Sequence, residues 1–301
     1  MSNTTQARPV DVIVNVYGKP YQTAVSIRSL MKFSERHVGK IYVILEKNQP
    51  PGFDAELLKG LLTGLPIEFY TPPFFFGWWE GRRKGLLNQI LLWFRSYRNS
   101  IRYQYAWEKT KAPFVFLMHN DMLFFDDLVG NYLSKIEDHV GIGQIGQCWN
   151  CPAFEKFCDG NRYWDYRPTS EELMELYASR PDGRAVVHGL VGPDKLNWPL
   201  PECRLNEHAA LIQMSLAKPV TRPLGPVQPI GLKNKLDNGI PWFQGMTLKG
   251  FRMKNASYEP FAKHAWTNKT DCGHASLFDQ NQYDREEDMA KLELEKYIKQ
   301  N

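Results

Sequence analysis

The 301 residues are 43% hydrophobic and 23% charged, and 37 basic against 33 acidic side chains leave a formal net charge of +4. This composition is ordinary for a globular chain that can bury a full core, and the charge is too mild to argue for a nucleic-acid partner. Met1–Pro9 carries no apolar leader, no apolar run reaches a membrane-spanning length of about 18 residues, and five cysteines without a leader fit a reducing compartment; a cytoplasmic protein with no transmembrane segment is expected.

Val10–Val16 (VDVIVNV) is a short apolar strand, broken by Tyr17-Gly18-Lys19-Pro20. Tyr21–Phe33 then places Ala24, Val25, Ile27, Leu30 and Met31 at helical spacing. Ile41–Leu45 is a second strand ending at Glu46 and the turn Asn48–Gly52, Asp54–Leu62 is a helix, and Pro66–Tyr70 is a third strand. Strand and helix alternating at this rhythm predict a parallel sheet with right-handed crossovers. Phe74–Trp79 (FFFGWW) interrupts the rhythm with five aromatics. Residue by residue they read as a plug against the core; together they could form a stacking wall for a flat ligand or, if exposed, a peripheral membrane contact. Arg82–Lys111 reads as one long helix through Leu87, Ile90, Leu91, Phe94, Ile101 and Tyr105. Its Arg95, Arg98 and Arg102 are read as a solvated face. Arg82, Arg83 and Lys84 differ, because basic side chains at a helix start suit a phosphate.

Phe114–Met118 is apolar at five consecutive positions after Pro113, the pattern of a strand covered on both faces. It stops on His119-Asn120-Asp121, at the strand end where open α/β sheets bind ligands. An Asp there suits a hard cation such as Mg²⁺ or Mn²⁺, although the tripeptide alone is more simply a strand followed by an Asn-Asp turn. Asp126–Ile136 is a helix opened by Asp126 and Asp127, and Val140–Ile145 is a strand. Cys148, Cys151, Cys158 and Cys203 offer four thiolates for a structural Zn²⁺; their irregular spacing fits buried thiols as well. Glu171–Ala178 is helical, and Pro193–Pro201 and Pro219–Pro241 are loops. Arg204–His208 opens an apolar helix, Ala209–Leu216. Ser257–Trp266 is a late strand carrying His264, and Asp284–Gln300 is a charged amphipathic helix on the outside.

In this order, the opening VDVIVNVYGKP, the helix containing Ser26-Ile27-Arg28-Ser29-Leu30, His119-Asn120-Asp121, Asn206-Glu207-His208 and the segment His264–Thr270 resemble GT-A-fold glycosyltransferases of the inverting, family-two-like kind. The resemblance implies an α/β fold, a Rossmann-like, mostly parallel sheet with flanking helices. It implies one such domain over residues 1–283, with a donor-binding half to about 125 and an acceptor half from 126, followed by a C-terminal helix over 284–301. The implied activity is a metal-dependent hexosyl transfer, with inversion, from a nucleotide-sugar donor to a hydroxyl of a sugar or glycan acceptor. Donor contacts would come from Val16, Tyr17, Glu46, Arg82, Arg83, Asn120 and Asp121. Asp121, His264 and His119 would hold Mn²⁺ or Mg²⁺, and Glu207 would take the acceptor's proton. His119 stands where the family carries the first Asp of its Asp-x-Asp motif, and Glu46 alone represents the acidic residue expected after strand two. His208 is expected to face elsewhere. Two other readings stay open: a nucleotidyltransferase acting on a sugar phosphate, and a non-catalytic carbohydrate- or nucleotide-binding module. Apart from the resemblance, Glu207 is an acid favouring a helix N-terminus.

Overall fold

The computed structural model describes residues 8–75, 90–146, 150–154, 156–268 and 278–298. Its strands are β1 (Val10–Val16), β2 (Val38–Leu45), β3 (Ile67–Tyr70), β4 (Phe114–His119), β5 (Met122–Phe124), β6 (Gly141–Ile145), β7 (Leu205–Gln213), β8 (Met253–Asn255) and β9 (Ala262–His264). The helices are α1 (Pro20–Ser34), α2 (Ala55–Leu61), α3 (Arg95–Arg98), α4 (Gln104–Lys109), α5 (Leu128–Lys135), α6 (Ser170–Ala178), α7 (Arg184–Val187), α8 (Met214–Ala217), α9 (Ile240–Leu248) and α10 (Gln280–Ile298).

Seven strands make one sheet in the order β3-β2-β1-β4-β7-β6-β8, and β5 pairs with β9 in a separate ribbon. Strand β7 runs antiparallel to β4 and β6, while the other pairs in the sheet are parallel. This is the mostly parallel α/β sheet that the sequence predicts. The consecutive apolar runs exist because both faces are covered. On β4, Val115 and Leu117 join one core cluster while Phe116 and Met118 join the other; Ala210 and Ile212 against Ala209 and Leu211 do the same on β7. Phe116 is fully buried, and its truncation to Ala should cost about 3–5 kcal/mol.

Four expectations need correction. The helix expected over Ala209–Leu216 is mostly β7, because hydrogen bonding to β4 on one side and β6 on the other outweighs the helical preference of the two alanines. Within Arg82–Lys111, residues 82–89 lie outside the described ones. The remainder is two short helices, α3 and α4, with the chain turning at Tyr103 (φ 67°) between them. Its arginines are not a solvated face: Arg98 is buried against Glu108 at 2.5 Å, and Arg102 Nε donates to Glu46 at 3.1 Å. The late strand shrinks to β9, and α9 rises from the end of the Gly/Pro-rich stretch with Pro241 in its first turn.

Register gathers the strand ends. Asn15 on β1 is level with His119 on β4, Val16 is level with Leu45 on β2, and Met118 is level with Ala209 on β7. The carboxyl ends of β1, β2 and β4 therefore meet the amino end of the reversed β7 along one edge. Pairing of Met122 with His264 brings the β5–β9 ribbon to that edge as well.

Helix α1 braces this edge from the front. Ser26 Oγ lies 2.6 Å from Met122 O and 2.9 Å from Asn120 O, and Asn120 Nδ2 donates to Thr23 Oγ1 at 3.1 Å. The amino end of α1 is itself closed by α10. Glu287 accepts the N–H groups of Tyr21 and Gln22 at 2.9 and 3.0 Å, Tyr283 accepts the Lys19 N–H at 2.6 Å, and the Lys19 ammonium pairs with Glu286. A carboxylate on free N–H groups at the positive end of a helix is favourable. The C-terminal helix is thus bound into the fold through buried acids, which its charged sequence concealed.

Candidate functional site

A cleft of about 1040 Å³ opens along this edge. Its floor is built by the residues that end each strand: Val16 and Tyr17 after β1, Glu46 after β2, His119, Asn120 and Asp121 after β4, Glu207 and His208 near the start of β7, and His264 from β9. The expected site residues that the structure describes, apart from the cysteines, all reach this one cavity. Arg82 and Arg83 lie outside the described residues, as do Trp78 and Trp79.

The centre of the floor is a cluster of three imidazoles and two carboxylates. His119 Nδ1 is 3.3 Å from His208 Nδ1 and 3.3 Å from His264 Nε2. Asp121 Oδ1 lies 3.3 Å from His264 Nε2 and 3.8 Å from His119 Nδ1. The rings of His208 and His264 stack with centroids 4.2 Å apart, and the His119 ring stands edge-on to His208 at 4.6 Å. His119, His208 and His264 are the group of described side chains, besides the surface cluster Glu137-Asp138-His139, whose donor atoms are close enough together to share one ion. His208 faces inward, against expectation. It borders the cleft beside Glu207.

Glu207 sits behind His119. Its Oε1 is 3.8 Å from His119 Nε2 and within 3.5 Å of Asn238 Nδ2, and its Oε2 accepts from Arg204 Nη1 at 2.8 Å. Arg204 Nη1 also lies 3.3 Å from Asp237 Oδ2 and from the Asn238 carbonyl. Burial works to raise the Glu207 carboxyl, but Arg204 first, then His119 and His208, outweigh it and hold the group well below its usual range. Asp121 follows the same logic: burial raises it, and His264, then His119 and His208, pull it below the ordinary carboxylate range. His208 moves the other way for an imidazole. Burial and the neighbouring His119, His264 and Arg204 all disfavour its charged form, which leaves a neutral ring with a lone pair to offer.

These surroundings correct the setting expected for Glu207. It stands within a buried strand, not at a loop-to-helix junction, and it is 4% exposed. Glu46 is equally enclosed, at 5%, with Arg102 on its Oε1. Arg102 and Asn238 carry no local signal, since each enters through a partner distant in sequence, and Arg204 meets Glu207 three residues on only in the folded site.

The residues present fit a divalent cation on an observation of their own: Asp121 Oδ1 is shut off from water and accepts no well-aligned hydrogen bond, a costly arrangement for a carboxylate with nothing to bind. The cysteines are a separate matter. Cys148 lies outside the described residues; Cys151, Cys158 and Cys203 are buried around a cavity of about 10 Å³, and their sulfurs do not gather into a shared ligand set. Among the described residues no helix is long and apolar enough to cross a membrane.

No family model matches the sequence, and no curated protein matches it. Solved structures do resemble the chain. A mannosyltransferase from Pyrobaculum calidifontis in complex with GDP-Man and Mn²⁺ aligns over 87% of this chain and 61% of its own, at 11% identity and a TM-score of 0.45. Core-mannan synthase A from Aspergillus fumigatus, in an Mn/GDP form, aligns over 72% and 62% at 11% identity, TM-score 0.39. Glucosyl-3-phosphoglycerate synthase from Mycobacterium tuberculosis, in complex with phosphoglyceric acid, aligns over 86% and 72% at 12% identity, TM-score 0.38. The chain thus spans about three fifths of the length of the first two structures it resembles.

Proposed function

We propose that the protein is a GT-A-like glycosyltransferase that moves a sugar from a nucleotide-sugar donor to an acceptor hydroxyl in this cleft. The observation that carries the reading is the convergence of Asp121, His119 and His264 at the carboxyl ends of parallel strands, beside a cavity large enough for a nucleotide sugar. Departure of a nucleoside diphosphate concentrates negative charge on the leaving group. Asp121, His119 and His264 would hold a cation there, whose charge would oppose it. Val16, Tyr17 and Asn120 border the same space for the donor, and Glu46, held in place by Arg102, offers a fixed acceptor at the end of β2. Donor capture falls in the half of the chain before about residue 125, and the acceptor approaches from β7 and the loops that follow.

The sequence reading gave Glu207 the acceptor's proton, with inversion as the outcome. A carboxylate ion-paired to Arg204 and held well below its ordinary range is a weak proton acceptor. Its place behind His119 suits a positioning role better. Anomeric coupling constants of the product, read by NMR, separate inversion from retention.

The test of the whole reading is donor turnover. Chelator-treated protein, supplied with a divalent cation, should hydrolyse or transfer from one member of a panel of nucleotide sugars. Asp121→Asn should raise the dissociation constant for the matching nucleoside diphosphate in calorimetric titration, most clearly with the cation present. Absence of turnover on every donor, together with unchanged nucleotide affinity in Asp121→Asn, removes the proposal.

A further inference from the structure

We propose that the cation site of this cleft is a three-histidine centre, with Asp121 beside it, built for a nitrogen-preferring transition ion such as Zn²⁺ or Co²⁺, with His208 as a full ligand and Glu207 as the residue that orients His119. The inference takes its catalytic sense from the transfer reading above, but the centre is defined by its own geometry.

Spacing is the first argument. An ion that holds its ligands at about 2.0–2.1 Å in a tetrahedron sets them about 3.3–3.4 Å apart. His208 Nδ1 to His119 Nδ1 and His119 Nδ1 to His264 Nε2 are each 3.3 Å, and the three imidazoles together are close enough to share one ion. Hydrogen bonding does not account for the same convergence. His119 Nδ1 has either one proton or one lone pair to give, yet two imidazole nitrogens lie at 3.3 Å from it and a carboxylate oxygen at 3.8 Å. One ion shared by the three imidazoles accounts for their convergence, and Asp121 Oδ1, which accepts no well-aligned hydrogen bond, stands beside it next to His264 and His119.

The donor set then selects the ion. Imidazole favours zinc and the later transition metals, whereas Mg²⁺ prefers carboxylate and water oxygens in an octahedron. Three nitrogens leave Mg²⁺ poorly served. Behind the cluster, Glu207 stands to His119 as a supporting carboxylate stands to a metal-bound imidazole. With Nδ1 turned to the ion, Nε2 carries the proton and points at Glu207 Oε1, 3.8 Å away. Arg204 and Asn238 hold that carboxylate in place.

The experiment is a metal titration without any donor, so failure of the glycosyl-transfer reading leaves it untouched. Chelator-treated full-length protein is titrated with Co²⁺ and followed by visible absorption, then challenged with Zn²⁺ and with excess Mg²⁺. One equivalent of Co²⁺ should bind with the strong bands of a four-coordinate site, and Zn²⁺ but not Mg²⁺ should displace it. Glu207→Gln should weaken Co²⁺ about 10–100-fold while keeping the band shape, as loss of a supporting partner does. His208→Ala and His208→Gln should weaken it further and change the spectrum. Thermal unfolding in chelator checks that the variants fold. In the wild type, one equivalent of Zn²⁺ should shift three imidazole spin systems by NMR, a measurement that needs no variant. Displacement of Co²⁺ by Mg²⁺, His208 variants with the wild-type spectrum and affinity, or only two shifted imidazoles would each overturn the proposal.

Discussion

Glu202 and Glu207 lie five residues apart, are 3% and 4% exposed, and end in opposite states. Glu202 faces the core around Cys151 and Cys203, where it accepts from the Tyr177 hydroxyl, and burial pushes its carboxyl up to about 7. Glu207 faces the cleft, where Arg204 and the imidazoles more than reverse the same burial. Depth therefore does not distinguish a structural acid from a functional one. What distinguishes them is which groups the fold sets against the carboxylate: Arg180 and the Tyr177 hydroxyl do not offset burial at Glu202, whereas Arg204 and the imidazoles do at Glu207.

The largest test of this contrast removes the cation. Arg204 is 3% exposed and ties Glu207, Asp237 and the Asn238 carbonyl together. Arg204→Met should cost about 3–5 kcal/mol in urea unfolding, because it leaves a buried carboxylate without its partner. The double variant Arg204→Met/Glu207→Gln should recover most of that loss. A single variant of near wild-type stability would mean that Glu207 needs no cation, and the two glutamates would no longer differ for the reason given.

Glu202 should answer to pH in the opposite sense. An acid whose folded value lies near 7, above its ordinary 4.5, holds its proton more tightly in the folded state. Folding stability then declines as pH rises from about 4.5 to about 7, and the full cost is present above that window. Glu202→Gln keeps an oxygen for the Tyr177 hydroxyl and has no proton to lose. Relative to wild type it should gain up to about 3 kcal/mol between the acid and alkaline ends of the window. Urea unfolding at both ends measures it; a flat difference would show that Glu202 is charged without penalty.

The same contrast explains what could be read in advance. Strands β1, β2 and β4 were legible because each is apolar at consecutive positions, a signal contained in the strand itself. Strand β7 was not, since Ala209-Ala210-Leu211-Ile212 is equally good helix until β4 and β6 claim its backbone. Asp121, His119 and His264 were found because they terminate strands or carry a family pattern. Asn238 was not, because its contact with Glu207 spans 31 residues, and Arg204 was not, because a pair three residues apart is read only once the segment's geometry is known. Helix α10 was placed outside for a related reason: Glu286 and Glu287 look solvated until Lys19 and the N–H groups of α1, some 265 residues earlier, are set against them.

A third carboxylate calibrates the other two at the low end of the scale. Asp127 caps α5, accepting the Gly130 N–H at 2.9 Å and the Ser34 hydroxyl at 2.6 Å, with Arg36 at 2.6 Å on its outer oxygen. Burial raises its carboxyl, and Ser34, Gly130, Arg36 and His37 more than offset that, so the group lies below its ordinary value of 3.8. A depressed folded value contributes stability above the unfolded one and loses it as pH falls through the folded one. Arg36, however, is 74% exposed, so water and salt screen most of the attraction. Asp127→Asn preserves the cap acceptor, since Asn caps about as well as Asp, and removes only the charge. It should cost about 0.3–1 kcal/mol at neutral pH and low ionic strength, the usual scale for a charge at a helix N-terminus. The cost should shrink in high salt and again in acid, where wild-type Asp127 is itself neutral. Chemical unfolding of the two proteins under those three conditions gives the answer. A loss that persists in salt and acid would mean that the oxygen-to-nitrogen change, through Ser34 or His37, carries the effect, and Asp127 would then resemble Glu202 in depending on its hydrogen bonds more than on its charge.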